Sequence, residues 1–338
     1  MTKQERILAA IEGVRPDKWP FSFWTHLPGV DLDPDALADA TYDFYRAYDI
    51  DFIKTMNNGM YPVEDFGCKV DYSDIPNGGI ARIIETPVNI TKDWYSIEPC
   101  SIFNGSLARE LNSLHSLINK TKEDSVPVLF TVFSPLTTAN KLSKNRVKKD
   151  IASGHDREIR YALDVITETT CNLVKEAISL GAAGIFFAAQ HCTYDYMSID
   201  QYCTYGAPYD LKVLQSAEDG WMNVLHAHGN NIIFELLKDY PVQIFNWHAW
   251  ETLPAVNEAR NLSDKCLLGG LNRTDITRKK RNELLHQIYE CYRLTGGEKH
   301  ILSPGCVIRH PLDPDTLNFI KEAKEFVEKK MRESNKYY

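Results

Sequence analysis

Apolar residues along this chain fall into short unbroken runs, separated by longer stretches in which they recur every three or four positions. A strand covered on both faces reads as a continuous apolar run, whereas a helix lying on a sheet keeps the 3.6-residue period. Eight runs have strand length: PFSFW (20–24), DFIKT (51–55), PVLFTVF (127–133), GIFFAA (184–189), NVLHA (223–227), VQIFN (242–246), CLLGG (266–270) and HILSP (300–304). The spacing between them predicts helices over 35–48, 106–121, 157–180, 231–239, 252–263, 276–295 and 314–332, with a shorter one inside 207–220. Asp33-Pro34 and Asp313-Pro314 supply start signals for the first and last of these.

Eight β/α units in series point to a closed α/β barrel of the (β/α)8 TIM type. No GxGxxG or phosphate-binding loop follows any strand, which argues against a doubly wound nucleotide-binding sheet. Residues 61–99 break the rhythm with alternating, Gly-, Pro- and Asp-rich sequence, so a β-hairpin excursion over the barrel mouth is expected after the second strand. The 338 residues are 43% hydrophobic and 25% charged, enough for one large core, and 1–338 reads as a single domain.

Net charge is −8, and the short KNRVKK and TRKKRNE stretches read as solvated helix ends, so nucleic acid is a poor partner. The first residues carry charges among helically spaced apolar positions, and no segment approaches the ~20 apolar residues of a membrane span. The expectation is a cytoplasmic protein without membrane contact. Its eight cysteines have no framework spacing and are expected to be reduced.

Catalytic groups of such a barrel hang from the C-terminal ends of its strands. Those ends carry Trp24 and His26; Asn57 and Asn58; Gln190; His226 and His228; Asn246 and His248; and Cys306 and His310. In the segment LHAHGNN, His226 and His228 are two residues apart and face one side of an extended strand. Cys306 ends the last run in SPGC, where it can reach across the mouth. Two imidazoles and a thiolate leave one position open on a tetrahedral ion, the form of a catalytic zinc site; cobalt, nickel or iron is also compatible. The same residues could instead serve as hydrogen-bonded polar lining. Tyr194 follows the fourth run as a candidate for shaping the binding surface.

LHAHGNN, IFNWHAWETLPAVNEAR, LLGGLNR and HILSPGCVIRHPLDPDTLNFIKEAKEFV together resemble the uroporphyrinogen decarboxylase superfamily. That resemblance implies a (β/α)8 barrel. It embraces both the haem-pathway decarboxylase and zinc methyltransferases that work with corrinoid proteins. The decarboxylase pattern has an Arg after the first strand and an Asp after the second. Here those places read FWTHLPGVD and TMNNGMYP, with Asn57 or Asn58 in place of the Asp. The methyltransferase branch matches better: its metal motif is His-x-Cys with a distant Pro-Gly-Cys, and His226 and Cys306 fit it, with His228 replacing the first Cys. A neutral nitrogen in place of a thiolate makes the ion a stronger Lewis acid, suited to stabilising an oxygen leaving group.

The resemblance therefore implies a methyltransferase moving a methyl group between a small O-methyl substrate, of the methoxylated-aromatic type, and the cobalt of a partner corrinoid protein. His226, His228 and Cys306 would hold zinc and, with Asn57, form the catalytic set. Trp24, His26, Asn58, Gln190, Tyr194, Asn246, His248 and His310 would surround the substrate. Methyl transfer from the corrinoid to a thiol or pterin, decarboxylation of a smaller acid, and tetrapyrrole binding without turnover are the alternatives. A homo-oligomer is compatible with all of these.

Overall fold

The computed structural model describes residues 1–75 and 80–334; part of the expected hairpin excursion, residues 76–79, and the last four residues lie outside that description. Seven parallel strands form one curled sheet in the order β1 (Ile53–Lys54), β4 (Val128–Phe133), β5 (Gly184–Ala189), β6 (Val224–Ala227), β7 (Ile244–Trp247), β8 (Cys266–Leu271) and β9 (His300–Pro304). Two further strands, β2 (Lys69–Asp71) and β3 (Arg82–Glu85), pair antiparallel in a separate sheet and account for the hairpin expected after the second run.

The first apolar run does not form a named strand. Its backbone nevertheless bridges the two ends of the sheet: Ser22 N–H donates to Leu302 O at 3.0 Å, Leu302 N–H to Pro20 O at 2.9 Å, and Asp51 N–H to Phe21 O at 2.9 Å. Parallel bridges join Phe21 to Leu302 and Thr25 to Ile308. The result is a TIM-like α/β architecture with long helices outside the curled sheet.

The helices follow the periodic stretches where the local signals are strong. Asp33 caps Pro34–Tyr48 by accepting from Ala36 N–H at 2.8 Å, and Asp313 accepts from Thr316 N–H at 3.1 Å ahead of Pro314–Ser334; each such cap is worth about 1 kcal/mol. Gly105–Thr121 and Asp156–Ser179 also match their expected spans. Three expectations change. The helix expected over 231–239 shrinks to Phe234–Leu237, because Asn231 sits at φ 51° and cannot join it. The one over 252–263 shortens to Val256–Leu262, following an extended Ala255. The one over 276–295 divides into Arg273–Thr277 and Arg281–Thr295 around Lys279, whose φ of 56° is left-handed. No described helix is long and apolar enough to cross a membrane.

Candidate metal centre and cavity

The parallel register of β6 and β7 places His226 beside Asn246 and Ala227 beside Trp247. His228 and His248 therefore both follow their strands at equivalent positions, and their ring centroids stand 4.9 Å apart. The sequence separates these two histidines by 20 positions, and the sheet brings them together.

Among the described residues, the ligand atoms of His226, His248 and Cys306 lie within 4.8 Å of one another, and all three residues are buried. Cys306 Sγ is 3.7 Å from His226 Nε2. This candidate set differs from the expected pairing of imidazoles: His248, expected at the substrate, is in the three-donor cluster, and His228 borders it, its ring centroid 5.7 Å from that of His226.

The hydrogen bonds around the cluster set its protons. Asn246 donates Nδ2–H to Leu268 O at 2.8 Å, which orients the amide so that its Oδ1 accepts from His226 Nδ1–H at 2.5 Å. The lone pair of His226 is thereby left on Nε2, facing Cys306. Asn246 is fully buried and acts on the imidazole ring, where the sequence suggested a substrate contact. His248 turns Nδ1 toward Glu251, 3.6 Å away, and leaves Nε2 buried with no hydrogen-bond partner. A buried polar atom without a partner is costly, and an imidazole nitrogen next to a thiol and a second imidazole is a donor suited to a metal.

Burial is the first cause of the low basicity of these rings. It drives the His226 pKa well below its ordinary value, assisted by His228 and His248, and pulls His248 down to about 3. His228 falls to about 4 for the same reason, with Arg273 adding to the effect. All three rings are neutral near pH 7, as metal ligands must be. Burial also raises the Cys306 thiol pKa, so capture of an ion there would displace a proton. Zinc would fit this donor set of two neutral nitrogens and one thiol, of which His226 and Cys306 line a cavity.

Gly305 fixes the distance between the two ligand-bearing turns. A Cβ at this position would stand 2.8 Å from the Cα of His248 and from the carbonyl oxygen of Trp247, so only glycine allows the backbones this close.

The cavity encloses about 260 Å³, and His226, His228 and Cys306 form part of its wall. Trp24, His26, Asn57 and Gln190 also line it, as expected. Trp24 meets Phe186 edge-on at 5.4 Å, and Phe186 stacks on His226 at 5.3 Å, which makes an apolar floor. Five expected residues are not among the lining: Asn246 and His248, described above, and three more. Asn58 is buried, accepting from Met60 N–H at 2.9 Å; Tyr194 is 39% exposed and hydrogen-bonds Glu235; His310 is exposed.

Several cavity groups had not been anticipated. Lys54, on β1, is only 4% exposed, and its Nζ lies 5.0 Å from the Phe186 ring centroid. Burial lowers its pKa to about 7. A lysine inside an otherwise apolar strand run was the signal for it. Behind Asn57, the fully buried Glu110 accepts from Asn57 Nδ2 at 2.5 Å and from Arg109 Nε at 3.0 Å. Burial raises the Glu110 pKa to about 7 despite Arg109. Its position on a helix far along the chain gave no motif. A larger groove of about 530 Å³ lies between Arg281–Thr295 and Pro314–Ser334, but none of the residues just described lines it.

A curled parallel sheet with an imidazole and thiol donor set at the C-terminal ends of its strands is the class that fold and site define together. The chain belongs to the uroporphyrinogen decarboxylase (URO-D) family, which it matches over residues 2–326. Among solved structures, a methyltransferase from Methanosarcina mazei is similar at a TM-score of 0.84, with 19% identity over 96% of this chain and 99% of that one. A B12-independent methionine synthase from Shewanella sp. W3-18-1, in complex with selenomethionine, follows at 0.60, with 13% identity over 93% of this chain and 99% of that one. A putative vitamin-B12-independent methionine synthase from Listeria monocytogenes gives 0.54, with 10% identity over 88% and 86%. At these identities the likeness is one of fold. No curated protein sequence matches the chain.

Proposed function

We propose that the chain is one closed (β/α)8 domain, with residues 20–25 as its eighth strand, and that it is a zinc-dependent methyltransferase. Its reaction moves a methyl group between a small substrate, of the methyl-ether type, and the cobalt of a partner corrinoid protein. The observation that carries this reading is the buried His226, His248 and Cys306 set, with the partnerless Nε2 of His248, beside a cavity of about 260 Å³. That volume is below the ~300 Å³ at which pockets begin to hold drug-sized ligands. A cavity of that size suits a small substrate better than a macrocycle, which supports methyl transfer over decarboxylation of a tetrapyrrole.

His226, His248 and Cys306 would hold the ion, with His228 beside them. When bound, zinc supplies Lewis acidity to an oxygen or sulfur of the substrate. Asn246 keeps the proton of His226 on Nδ1 and Glu251 faces Nδ1 of His248, so both rings are oriented before anything binds. Trp24 and Phe186 exclude water from the substrate's apolar body. Gln190 and the backbone-anchored His26, whose Nδ1 is 3.0 Å from Asn57 O, add polar contacts at the wall.

The test is to mix purified protein with a Co(I) corrinoid protein and a panel of methyl ethers and follow the cobalt spectrum, with elemental analysis of the same preparation. Methyl-cobalt formation by a protein containing one zinc is expected; no methyl-cobalt with any donor or acceptor, in either direction, rejects the reading.

A further inference from the structure

The cavity has a second chemical wall that the metal set does not use. Lys54 projects from β1 and is 4% exposed. Its Nζ makes one hydrogen bond, to Thr55 O at 3.1 Å, and among the described residues it has no carboxylate partner. The protonated amine has three N–H donors, so in that form two have no acceptor among the described residues. Burying a charge this way is costly unless something else compensates it.

No carboxylate among the described residues supplies the missing charge; the one group that favours the protonated amine is the Cys306 thiol, across the cavity. Lys141 is next along this side, donating to Gly59 O at 2.6 Å and lying 4.4 Å from the Phe133 ring centroid, again without a carboxylate partner among the described residues. Arg273 and Arg309 also line the cavity. Arg273 has Glu251 at 3.6 Å, but that carboxylate also faces His248. Among the described residues that line the cavity there is no Asp or Glu, and Lys54, Arg273 and Arg309 are its basic side chains. Phe186 is close to both walls, its ring 5.0 Å from Nζ and 5.3 Å from the His226 ring, and a small aromatic body in the cavity that Phe186 and Trp24 line would be within reach of both groups.

We infer that Lys54 is a substrate-binding residue that takes an anionic group, a carboxylate in the first instance, of a small aromatic substrate. The substrate class is then a methoxylated aromatic acid, bound with its carboxylate at Lys54 and its apolar ring against Phe186 and Trp24. This assignment rests on the methyl-transfer reading for the methyl group but not for the anion. The burial that draws the Lys54 pKa down is the same burial that makes a bound carboxylate effective there.

The test uses the full-length protein, with 4-methoxybenzoate and its neutral amide as probes, titrated by calorimetry at low salt in wild type, Lys54→Met and Lys54→Arg. Wild type is expected to bind the acid roughly tenfold or more tighter than the amide, as a charge-assisted hydrogen bond allows. Lys54→Met should lose that preference, Lys54→Arg should keep part of it, and zinc content should be the same in all three. Equal preference in wild type and Lys54→Met, or no preference in wild type, overturns the assignment. Thermal melting of each variant identifies a misfolded one, and in that case Lys54→Arg decides: an unchanged acid affinity with a relocated charge overturns it, and a reduced one supports it. Binding that discriminates acid from amide without any methyl transfer would leave the subsite standing and reject the transfer reading alone.

Discussion

The two walls of the cavity are buried to a similar degree, and burial makes the bases on both less basic, but the partners it leaves them differ. On the side of β6, β7 and the turn after β9, burial removes protons from His226 and His248 and leaves lone pairs directed at one another and at Cys306. On the side of β1, burial draws the pKa of the Lys54 amine down to about 7 and sets it against aromatic carbon, with no carboxylate partner among the described residues. On the readings proposed above, one wall takes a cation and the other an anion. The same apolar scaffold makes both demands stronger, because neither is met by water.

The comparison can be broken most decisively at the donor wall. Cys306→Ala and His226→Ala should each reduce zinc from one per chain to near none, read by elemental analysis. Methyl transfer should fall on the order of 10³-fold or more, the scale of losing several kcal/mol of charge stabilisation. Next in size is the choice between the two register-equivalent histidines. His248→Ala should lose the metal, whereas His228→Ala should retain it; the reverse result would return His228 to the ligand set. Asn246→Leu leaves all three ligands in place and removes only the group that holds the His226 proton. A chelator competition should show zinc affinity weakened by 10- to 100-fold.

A histidine in neither wall separates burial from metal chemistry. His300, at the start of β9, accepts from Trp19 Nε1 at 3.1 Å, and burial lowers its pKa to about 3. The unfolded chain binds that proton near pH 6.5 and the folded chain does not. His300 therefore contributes stability that is present above pH 6.5 and is lost as pH falls toward 3, by at most about 1.4 kcal/mol per pH unit. His300→Gln keeps an acceptor for Trp19, and its denaturation midpoint should fall less steeply than wild type between pH 6.5 and 4. The smallest effect is expected at Tyr194→Phe. That change removes a surface hydrogen bond to Glu235, and should shift stability by no more than ~0.5 kcal/mol, without changing zinc content or acid binding.

The sheet was legible because runs such as VLFTVF and GIFFAA can only be strands covered on both faces, and every residue in them is buried. PFSFW was legible as an extended segment, although it makes isolated bridges instead of a regular ladder. The helix breaks at Asn231 and Lys279 were not legible, since left-handed backbone at a non-glycine residue is decided by tertiary packing. At the site, His226 and Cys306 were readable from spacing and turn chemistry. The choice between His228 and His248 was not, because it depends on the lateral register of β6 and β7, which a period-two pattern along one strand does not carry. Lys54 was visible as a charge within an apolar run and was passed over. Glu110 reaches Asn57 from 53 residues away, a contact that no local pattern encodes.

Gly305 gives the donor set a property beyond its chemistry. The turns bearing His248 and Cys306 abut backbone to backbone, so the gap between them is set by atomic radii that no neighbouring side chain can alter. Loops elsewhere on the mouth can lengthen, shorten or change sequence as a lineage acquires new substrates. This span behaves as a fixed gauge around which such diversification takes place.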